Sequence, residues 1–305
     1  MILTVTLNPS VDMRFVVTEF ARGGVYRSKE EQQTAGGKGL NVTRVLTQLK
    51  APVLATGLLG GANGDFIRQQ LTADGIRHSF VDISGNTRAC IAILEEGVQT
   101  EVLGKGPEIT ESELTSFYQA FDRLVQEAKL VTMSGSLPPT LPPDTYGHLI
   151  EIAHKSGCQV LLDSSGQALA GGLKARPLLV KPNQEELSAI AGSTLASEAD
   201  VARAMEGLNA ENVVVSLGKA GALAKWSDKC YRIRVPEIQA VNPVGSGDAM
   251  VAGLAWGLHE AWAPQEILTF AAACGVANAL EKQTGTVNPE TVNDLLTKIE
   301  VTELE

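Results

Sequence analysis

Near the end of the chain, the segment NPVGSGDAM (242–250) combines a tight turn with a carboxylate. Its turn consists of three small residues, Gly245, Ser246 and Gly247. The apolar run 249–262 predicts a buried helix, and free amides and the helix dipole at a helix N-terminus attract anions. Asp248 would then be a base beside an anion hole, an arrangement suited to phosphoryl transfer to a hydroxyl. The alternative is an Asp that only caps the helix.

A second glycine-rich segment, AGGKGLNVTRV (35–45), contains three glycines around Lys38, two before it and one after it, and begins a predicted helix. It lacks the GxxxxGK[ST] spacing of a Walker A loop, so it does not predict a P-loop. An ordinary strand-to-helix turn remains its alternative interpretation.

The elements that must position these residues alternate regularly. Apolar strands are predicted at 2–7, 53–59, 130–133, 160–162, 178–180 and 213–215. Amphipathic helices are predicted to begin at Lys38 and Gly64, and a third follows a capping box formed by Thr110 and Glu113. This alternation predicts a mostly parallel sheet with helices on both faces, and ligands of such sheets bind at the carboxyl ends of the strands.

Two segments interrupt the alternation, at about 11–34 and 87–104. Both carry alternating β-branched and polar residues with no helical pattern between them, which indicates strands of a small separate sheet. We expect this sheet to form a lid that is discontinuous in sequence.

Composition excludes several classes of protein. The chain has 305 residues and a net charge of −10, which argues against nucleic acid or an anionic membrane as the main partner. Its four cysteines and four histidines are dispersed, so neither a zinc site nor a disulfide framework is expected. The N-terminus does not resemble a signal peptide, and a cytoplasmic protein is expected. The acidic segment 300–305 is expected to fray.

Three segments in this order, AGGKGLN, KPNQEE and NPVGSGDAMVAG, resemble the ribokinase-like, phosphofructokinase-B type of carbohydrate kinases. The resemblance runs from Ile2 to about Asn288, with one departure, Lys50, where a glycine or serine is usual. It implies a single kinase domain over 1–305. The implied fold is an α/β three-layer sandwich with a mostly parallel central sheet and a small discontinuous β-sheet lid.

Within the family, TLNPSVD, RACIAILEEG and SGSLP are most similar to tagatose-6-phosphate kinases, with the 1-phosphofructokinases as near relatives. The resemblance implies ATP- and Mg²⁺-dependent phosphorylation of O1 of D-tagatose 6-phosphate. Fructose 1-phosphate and fructose 6-phosphate remain open as alternative acceptors. A non-catalytic sensor would not need Asp248 with its complete turn, and a dinucleotide-dependent dehydrogenase would need GxGxxG after the first strand.

The resemblance also assigns roles to residues. Asp248 would be the base, and Gly245, Ser246 and Gly247 the anion hole. Substrate contacts would come from Asp12, Gly37, Lys38, Asn41, Arg88, Arg27 and Ser136, with Arg88 the foremost phosphate ligand. ATP contacts would come from Lys181, Asn183, Ser216, Gly218 and Gly221, with Asn278 beside the adenine.

Two further expectations follow from the resemblance. Glu186 would hold Mg²⁺ through water, although Asn183 and Glu186 by themselves favour a capped helix. A homodimer would form through the lid, and Arg27 could then serve the neighbouring subunit's site.

Overall fold

The computed structural model describes residues 1–95 and 98–304, so part of the predicted lid segment 87–104 and the last residue of the tail lie outside the described residues. The strands are β1 Ile2–Thr6, β2 Ser10–Val16, β3 Glu30–Gly36, β4 Val53–Leu59, β5 His78–Asp82, β6 Arg88–Glu95, β7 Val98–Leu103, β8 Leu130–Ser134, β9 Gln159–Asp163, β10 Leu179–Val180, β11 Asn212–Ser216, β12 Ala222–Trp226, β13 Lys229–Arg234 and β14 Glu300–Leu304. The helices are α1 Lys38–Gln48, α2 Gly61–Ala73, α3 Glu111–Val125, α4 Thr145–Lys155, α5 Gly166–Leu173, α6 Gln184–Ala191, α7 Glu198–Glu206, α8 Ser246–His259, α9 Pro264–Ala279 and α10 Pro289–Leu296.

In the described part of the chain, ten strands form one large sheet in the order β14-β13-β12-β11-β10-β9-β8-β1-β4-β5. The strands from β11 to β5 run parallel. The remaining three extend the sheet in antiparallel pairs. The prediction of a mostly parallel central sheet is confirmed.

Helices cover both faces of this sheet because the strand residues alternate between two cores. Val213 and Val215 pack into the core that contains α3 to α7, whereas Val214 packs into the core of α1, α8, α9 and α10. Such alternation in a fully buried strand requires apolar partners on both sides. The helices therefore form one layer on each face of the sheet, which gives the predicted three-layer sandwich.

Four strands form a smaller sheet in the order β3-β2-β6-β7, from the two segments that interrupt the alternation. Its inner end packs on α2, where Val11 and Ala35 share a core with Ile67 and Leu71. The α/β fold with a second, smaller sheet is therefore confirmed. No helix among the described residues has the length and apolar character that crossing a membrane requires.

Three boundaries differ from the sequence predictions. Helix α2 begins at Gly61 rather than Gly64, directly after the extended Gly60. Helix α8 begins at Ser246 and ends at His259, before Ala261 turns into the left-handed region with φ 56°. The expectation that the acidic tail frays is wrong for 300–304, because β14 pairs with the edge of β13, and Lys229 Nζ lies 2.8 Å from Glu303 Oε2.

Candidate active site

A cavity of about 490 Å³ lies between the carboxyl ends of the parallel strands and the smaller sheet. The predicted site residues that line it are Asp12, Gly37, Lys38, Asn41, Arg88, Lys181, Asn183, Glu186, Ser216, Gly245, Gly247 and Asp248. They come from segments more than 200 residues apart in the sequence, and the fold brings them together at one place.

The N-terminus of α8 forms one end of the cavity. Gly245 precedes the helix with φ 84°, and a Cβ there would lie 2.6 Å from Thr284 Cγ2, so glycine is required. Asp248 follows in the first turn, with 6% of its surface exposed. Its Oδ2 accepts a hydrogen bond of 2.8 Å from Asn41 Nδ2.

Opposing charges act on Asp248. Burial, together with the nearby negative charge of Asp163, raises the pKa of Asp248 to about 6. Lys38, the hydrogen bond from Asn41 and Lys181 act in the opposite direction. A carboxylate with a pKa just below neutrality is ionised at pH 7 and is a stronger base than an exposed aspartate.

Two lysines meet a buried carboxylate on the floor of the cavity. Asp163 ends β9 and is only 1% exposed. Neither of its carboxylate oxygens accepts a hydrogen bond from any residue that the structure describes. Lys38 Nζ lies 3.6 Å and Lys181 Nζ 3.5 Å from Asp163 Oδ1, and this carboxylate is the main cause of the raised pKa of Lys38. Asp163 thus holds two ammonium groups beside the α8 turn, where they could bind phosphate oxygens.

Asp163 was not among the predicted site residues. The sequence signal that could have identified it is a carboxylate directly after the apolar strand residues Leu161 and Leu162, at a strand end where ligands bind.

Glu186 both caps α6 and faces the cavity. Its Oε2 accepts from Asn183 N at 2.9 Å, and Asn183 Oδ1 accepts from Glu186 N at 2.7 Å, which completes a capping box. Its other oxygen, Oε1, lies 3.6 Å from Lys38 Nζ. The cap and a role in the cavity are therefore compatible.

Glu186 faces the cavity at a place where Mg²⁺ could bind. No group of three or more His, Cys, Asp or Glu side chains that could hold a metal occurs among the described residues. Mg²⁺ commonly binds through one or two carboxylates together with water and substrate phosphates, and Glu186 offers one such carboxylate.

The smaller sheet supplies the other end of the cavity. Asp12 on β2 accepts a 2.6 Å hydrogen bond from Ser10 Oγ, and burial is the main cause of its raised pKa. Arg88 begins β6 and is held by two backbone carbonyls, with Nε 3.1 Å from Asn8 O and Nη1 2.9 Å from Gly104 O. A carboxylate for hydroxyl groups and a fixed guanidinium for an anion thus lie on neighbouring strands.

Several predicted residues lie outside the lining of this cavity. Ser136 is exposed and accepts a hydrogen bond from Asn8 Nδ2 at 3.2 Å. Gly218 and Gly221 lie in the turn after β11, two and five residues beyond the lining residue Ser216. Arg27 is exposed and lines a separate hollow on the smaller sheet with apolar side chains such as Phe15 and Ile93.

The structure gives Asn278 a different position from the predicted adenine contact. Its side chain on α9 is fully buried. Nδ2 donates to Val244 O at 2.9 Å, and Oδ1 accepts from the backbone N–H groups of Gly285 and Thr286 at 2.9 and 3.2 Å. The amide is engaged within the protein, so we correct the prediction: Asn278 supports the α8 turn from behind. Ser246 in the α8 turn also contacts this amide, since its Oγ lies 3.4 Å from Asn278 Nδ2.

Known proteins resemble this chain in sequence and fold. The model of the pfkB family of carbohydrate kinases matches residues 6–291. Tagatose-6-phosphate kinase of Staphylococcus epidermidis is 43% identical, with 100% of each chain covered. Phosphofructokinase-2 of Escherichia coli in complex with fructose-6-phosphate is 30% identical, with a TM-score of 0.88 over 97% of this chain and 98% of that one. A possible 1-phosphofructokinase of Thermotoga maritima is 27% identical, with a TM-score of 0.91 over 100% and 99%.

The family match extends from β1 to α10 and therefore includes every segment that lines the cavity. The α8 turn, the α1 turn and the start of α6 occupy the order in the chain that the sequence resemblance implies. The protein belongs to the pfkB family of carbohydrate kinases.

Proposed function

We propose that the protein transfers the γ-phosphoryl group of ATP to O1 of D-tagatose 6-phosphate and forms D-tagatose 1,6-bisphosphate. The relative that is 43% identical over the full length of both chains bears the name of this activity. The chain's own residues support it independently, since the cavity combines a base, an anion hole and a distant cation.

One observation carries the proposal. Asp248 and the α8 N-terminus line the same cavity as Asp12 and Arg88, which lie on the smaller sheet. A sugar that already carries a phosphate needs a cation at the end remote from the reacting hydroxyl, and an arginine fork suits a phosphate well.

The residues divide the chemistry between them. As O1 attacks the γ-phosphorus, the O1–P bond forms, the bond from phosphorus to ADP breaks, and Asp248 accepts the hydroxyl proton. The amides at Gly245, Ser246 and Gly247 face the charge that develops on the phosphoryl oxygens. Lys38 and Lys181 would add positive charge there. Mg²⁺, held through water by Glu186, would neutralise phosphate oxygens when bound.

The nucleotide would lie along the sheet edge from the end of β10 toward β11. Lys181, Asn183 and Ser216 line this part of the cavity, and Asn183 and Ser216 pair directly as an isolated bridge. Gly218 and Gly221 would cover the next part of ATP in the turn after β11.

Fructose phosphates are the second candidate acceptors, because two solved structures with this fold carry phosphofructokinase names. The test is a coupled assay of ADP release that compares kcat/KM for tagatose 6-phosphate, fructose 6-phosphate and fructose 1-phosphate. Unphosphorylated tagatose is the control. The highest kcat/KM is expected for tagatose 6-phosphate. A lower value than for either fructose phosphate would overturn this substrate assignment.

We further propose one kinase domain over 1–305, in which the segments 11–34 and 87–104 act as a lid and pair between two subunits. Exposed apolar side chains support this assembly: Val98, Val102 and Leu103 on β7, and Phe20 in the loop between β2 and β3. Analytical ultracentrifugation at micromolar concentration is expected to give a dimer, and a monomer would contradict it. Arg27, also exposed, would lie near this interface.

A further inference from the structure

Arg44 on α1 connects three parts of the molecule that meet at the cavity. Its Nη1 donates to Asn41 Oδ1 at 3.1 Å and lies 3.4 Å from Thr284 O. Its Nη2 donates to Ala35 O at 2.5 Å. The guanidinium therefore donates hydrogen bonds to its own helix, to the loop after α9 and to the end of strand β3 in the smaller sheet.

Two of these contacts adjoin the groups around Asp248. Asn41 donates through Nδ2 to Asp248 Oδ2 at 2.8 Å. Thr284 packs behind the α8 turn, where its Cγ2 would be 2.6 Å from a Cβ at Gly245. Arg44 itself lines the cavity without having been assigned a role by the sequence.

The direction of the Asn41 amide depends on Arg44. An amide presents an acceptor on one side and a donor on the other, whereas a guanidinium can only donate. With Oδ1 bonded to Arg44, Nδ2 must face Asp248. Without Arg44, the amide could rotate by half a turn and place Oδ1 against the carboxylate, where two acceptors repel each other.

We propose that Arg44 is a positioning residue that fixes the orientation of Asn41, and through it the ionised carboxylate of Asp248, and that it ties this arrangement to the lid strand β3. The inference rests on the proposed role of Asp248 as the base. Arg44 would act on Asp248 only through Asn41, and its charge also lowers the pKa of the proposed substrate contact Asp12, so the Asp248 titration itself is the deciding readout.

The other charged groups around Asp248 are positioned by contacts that do not involve Arg44. They are Asp163 at the end of β9, Lys38 at the start of α1 and Lys181 after β10. None of these three bonds to Arg44 in the described part of the chain. A change at Arg44 is therefore expected to reach Asp248 by the Asn41 amide.

The test compares wild type with Arg44→Met and Arg44→Lys in the pH dependence of kcat/KM. In Arg44→Met, the apparent pKa of the acid limb is expected to rise by about one unit, because a hydrogen bond to a charged group is lost. Arg44→Lys keeps one donor and is expected to shift less. Arg203→Met, at an exposed arginine of α7 that pairs with Asp200, is the matched control and is expected to leave the limb unchanged.

The same substitution in an Asn41→Ala variant distinguishes the proposed role of Arg44 from a purely structural one. In Asn41→Ala, the substitution Arg44→Met is expected to produce no further shift of the acid limb. An unchanged limb in folded Arg44→Met, or an equal shift in both backgrounds, would overturn the inference.

A readout that needs no turnover separates this inference from the proposed function. Carboxyl ¹³C NMR of aspartate-labelled protein, with the Asp248 signal assigned from Asp248→Asn, follows the titration directly. A higher titration midpoint of Asp248 in Arg44→Met, or in Arg44→Lys should the first variant not fold, supports the positioning role even if no sugar phosphate is turned over. An identical midpoint contradicts it.

Discussion

At the scale of single residues, burial of Asp248 has two opposite effects: it disfavours the charged carboxylate, and it makes that carboxylate a stronger base. The protein buries the carboxylate almost completely, although the ionised form is costly in such a place. The same burial raises its pKa to about 6 and makes it a better proton acceptor.

The pH dependence of the reaction should report this pKa. Because the base must be ionised, kcat/KM for the sugar phosphate is expected to rise with an acid limb near pH 6 and to level off above it. A pH profile at saturating ATP measures the limb. An acid limb at the pKa of an exposed aspartate, about 4, would contradict the burial argument.

The stability of Asp248→Asn should show the cost of the buried charge. The pKa of Asp248 in the folded protein lies above its ordinary value of 3.8, so wild type loses stability as pH rises from about 4 to 6. The amide variant lacks this loss. Its free energy of unfolding, relative to wild type, is expected to increase by about 2 kcal/mol between these pH values. Urea unfolding across this range measures it, and a difference that does not vary with pH would contradict it.

Arg88 should act on sugar binding rather than on ATP. Replacing Arg88 by Met removes the cation proposed for the sugar's existing phosphate. We expect KM for the sugar phosphate to rise by about 10- to 100-fold, because a hydrogen bond to a charged group contributes about 1.5–3 kcal/mol. KM for ATP should stay within about twofold, and steady-state kinetics with each substrate varied separately decides between the two. An equal rise for ATP would contradict this assignment.

Sequence reasoning at this scale predicted residues that line the cavity where one short segment carries several of them. The turn before α8 and the turn before α1 each place their residues by local spacing. Asp163 was assigned no role because its position after an apolar strand does not reveal that Lys38 and Lys181 meet it. Arg44 was assigned none because helical spacing does not reveal its contacts to Asn41 and Thr284. Asn278 was assigned wrongly because a helical position does not reveal which neighbours will satisfy its amide.

At the scale of elements, the close approach of α1 to β1 sets the position of Lys38 and Asn41. A Cβ at Gly39 would lie 2.1 Å from Thr6 Oγ1 and 2.9 Å from Val5 O. Only a residue without a side chain lets the helix begin this near the strand end. The glycine at position 39 of the AGGKGLN segment is therefore explained by packing.

Gly39→Ala is therefore expected to lower the free energy of unfolding by about 1–3 kcal/mol, the usual range for overpacking. Gly207→Ala at the end of α7 is the matched control, because its φ is −77° and its closest contact would be 3.5 Å. Urea unfolding of both variants makes the comparison. Equal effects of the two substitutions would show that α1 can move away from β1 without loss.

The pattern of elements was largely readable from the sequence. The strand at 53–59 and the capping box at Thr110 have the predicted bounds and geometry, since a buried strand and a capped helix are set by local residue type. The tail at 300–304 was misjudged because its partner, the edge of β13, lies about 70 residues away and carries complementary charges.

At the scale of the whole molecule, the cavity exists only because two sheets face each other. The large sheet contributes Asp163 and the residues after its strands, and the smaller sheet contributes Asp12 and Arg88. The alternating pattern of the segments 11–34 and 87–104 predicted a small separate sheet, and the family resemblance implied that this sheet carries substrate contacts. The distance between the two ends of the cavity is a property of the folded chain that no local pattern contains.

The central claim is that Asp248 takes the proton from the acceptor hydroxyl beside the α8 anion hole. The most direct measurement is ADP release with tagatose 6-phosphate and ATP by wild type and Asp248→Asn, side by side at pH 8. We expect measurable turnover by wild type and a kcat lower by about 10²- to 10⁴-fold in the variant, the usual range for loss of a general base. Equal kcat values in the two folded proteins would contradict it.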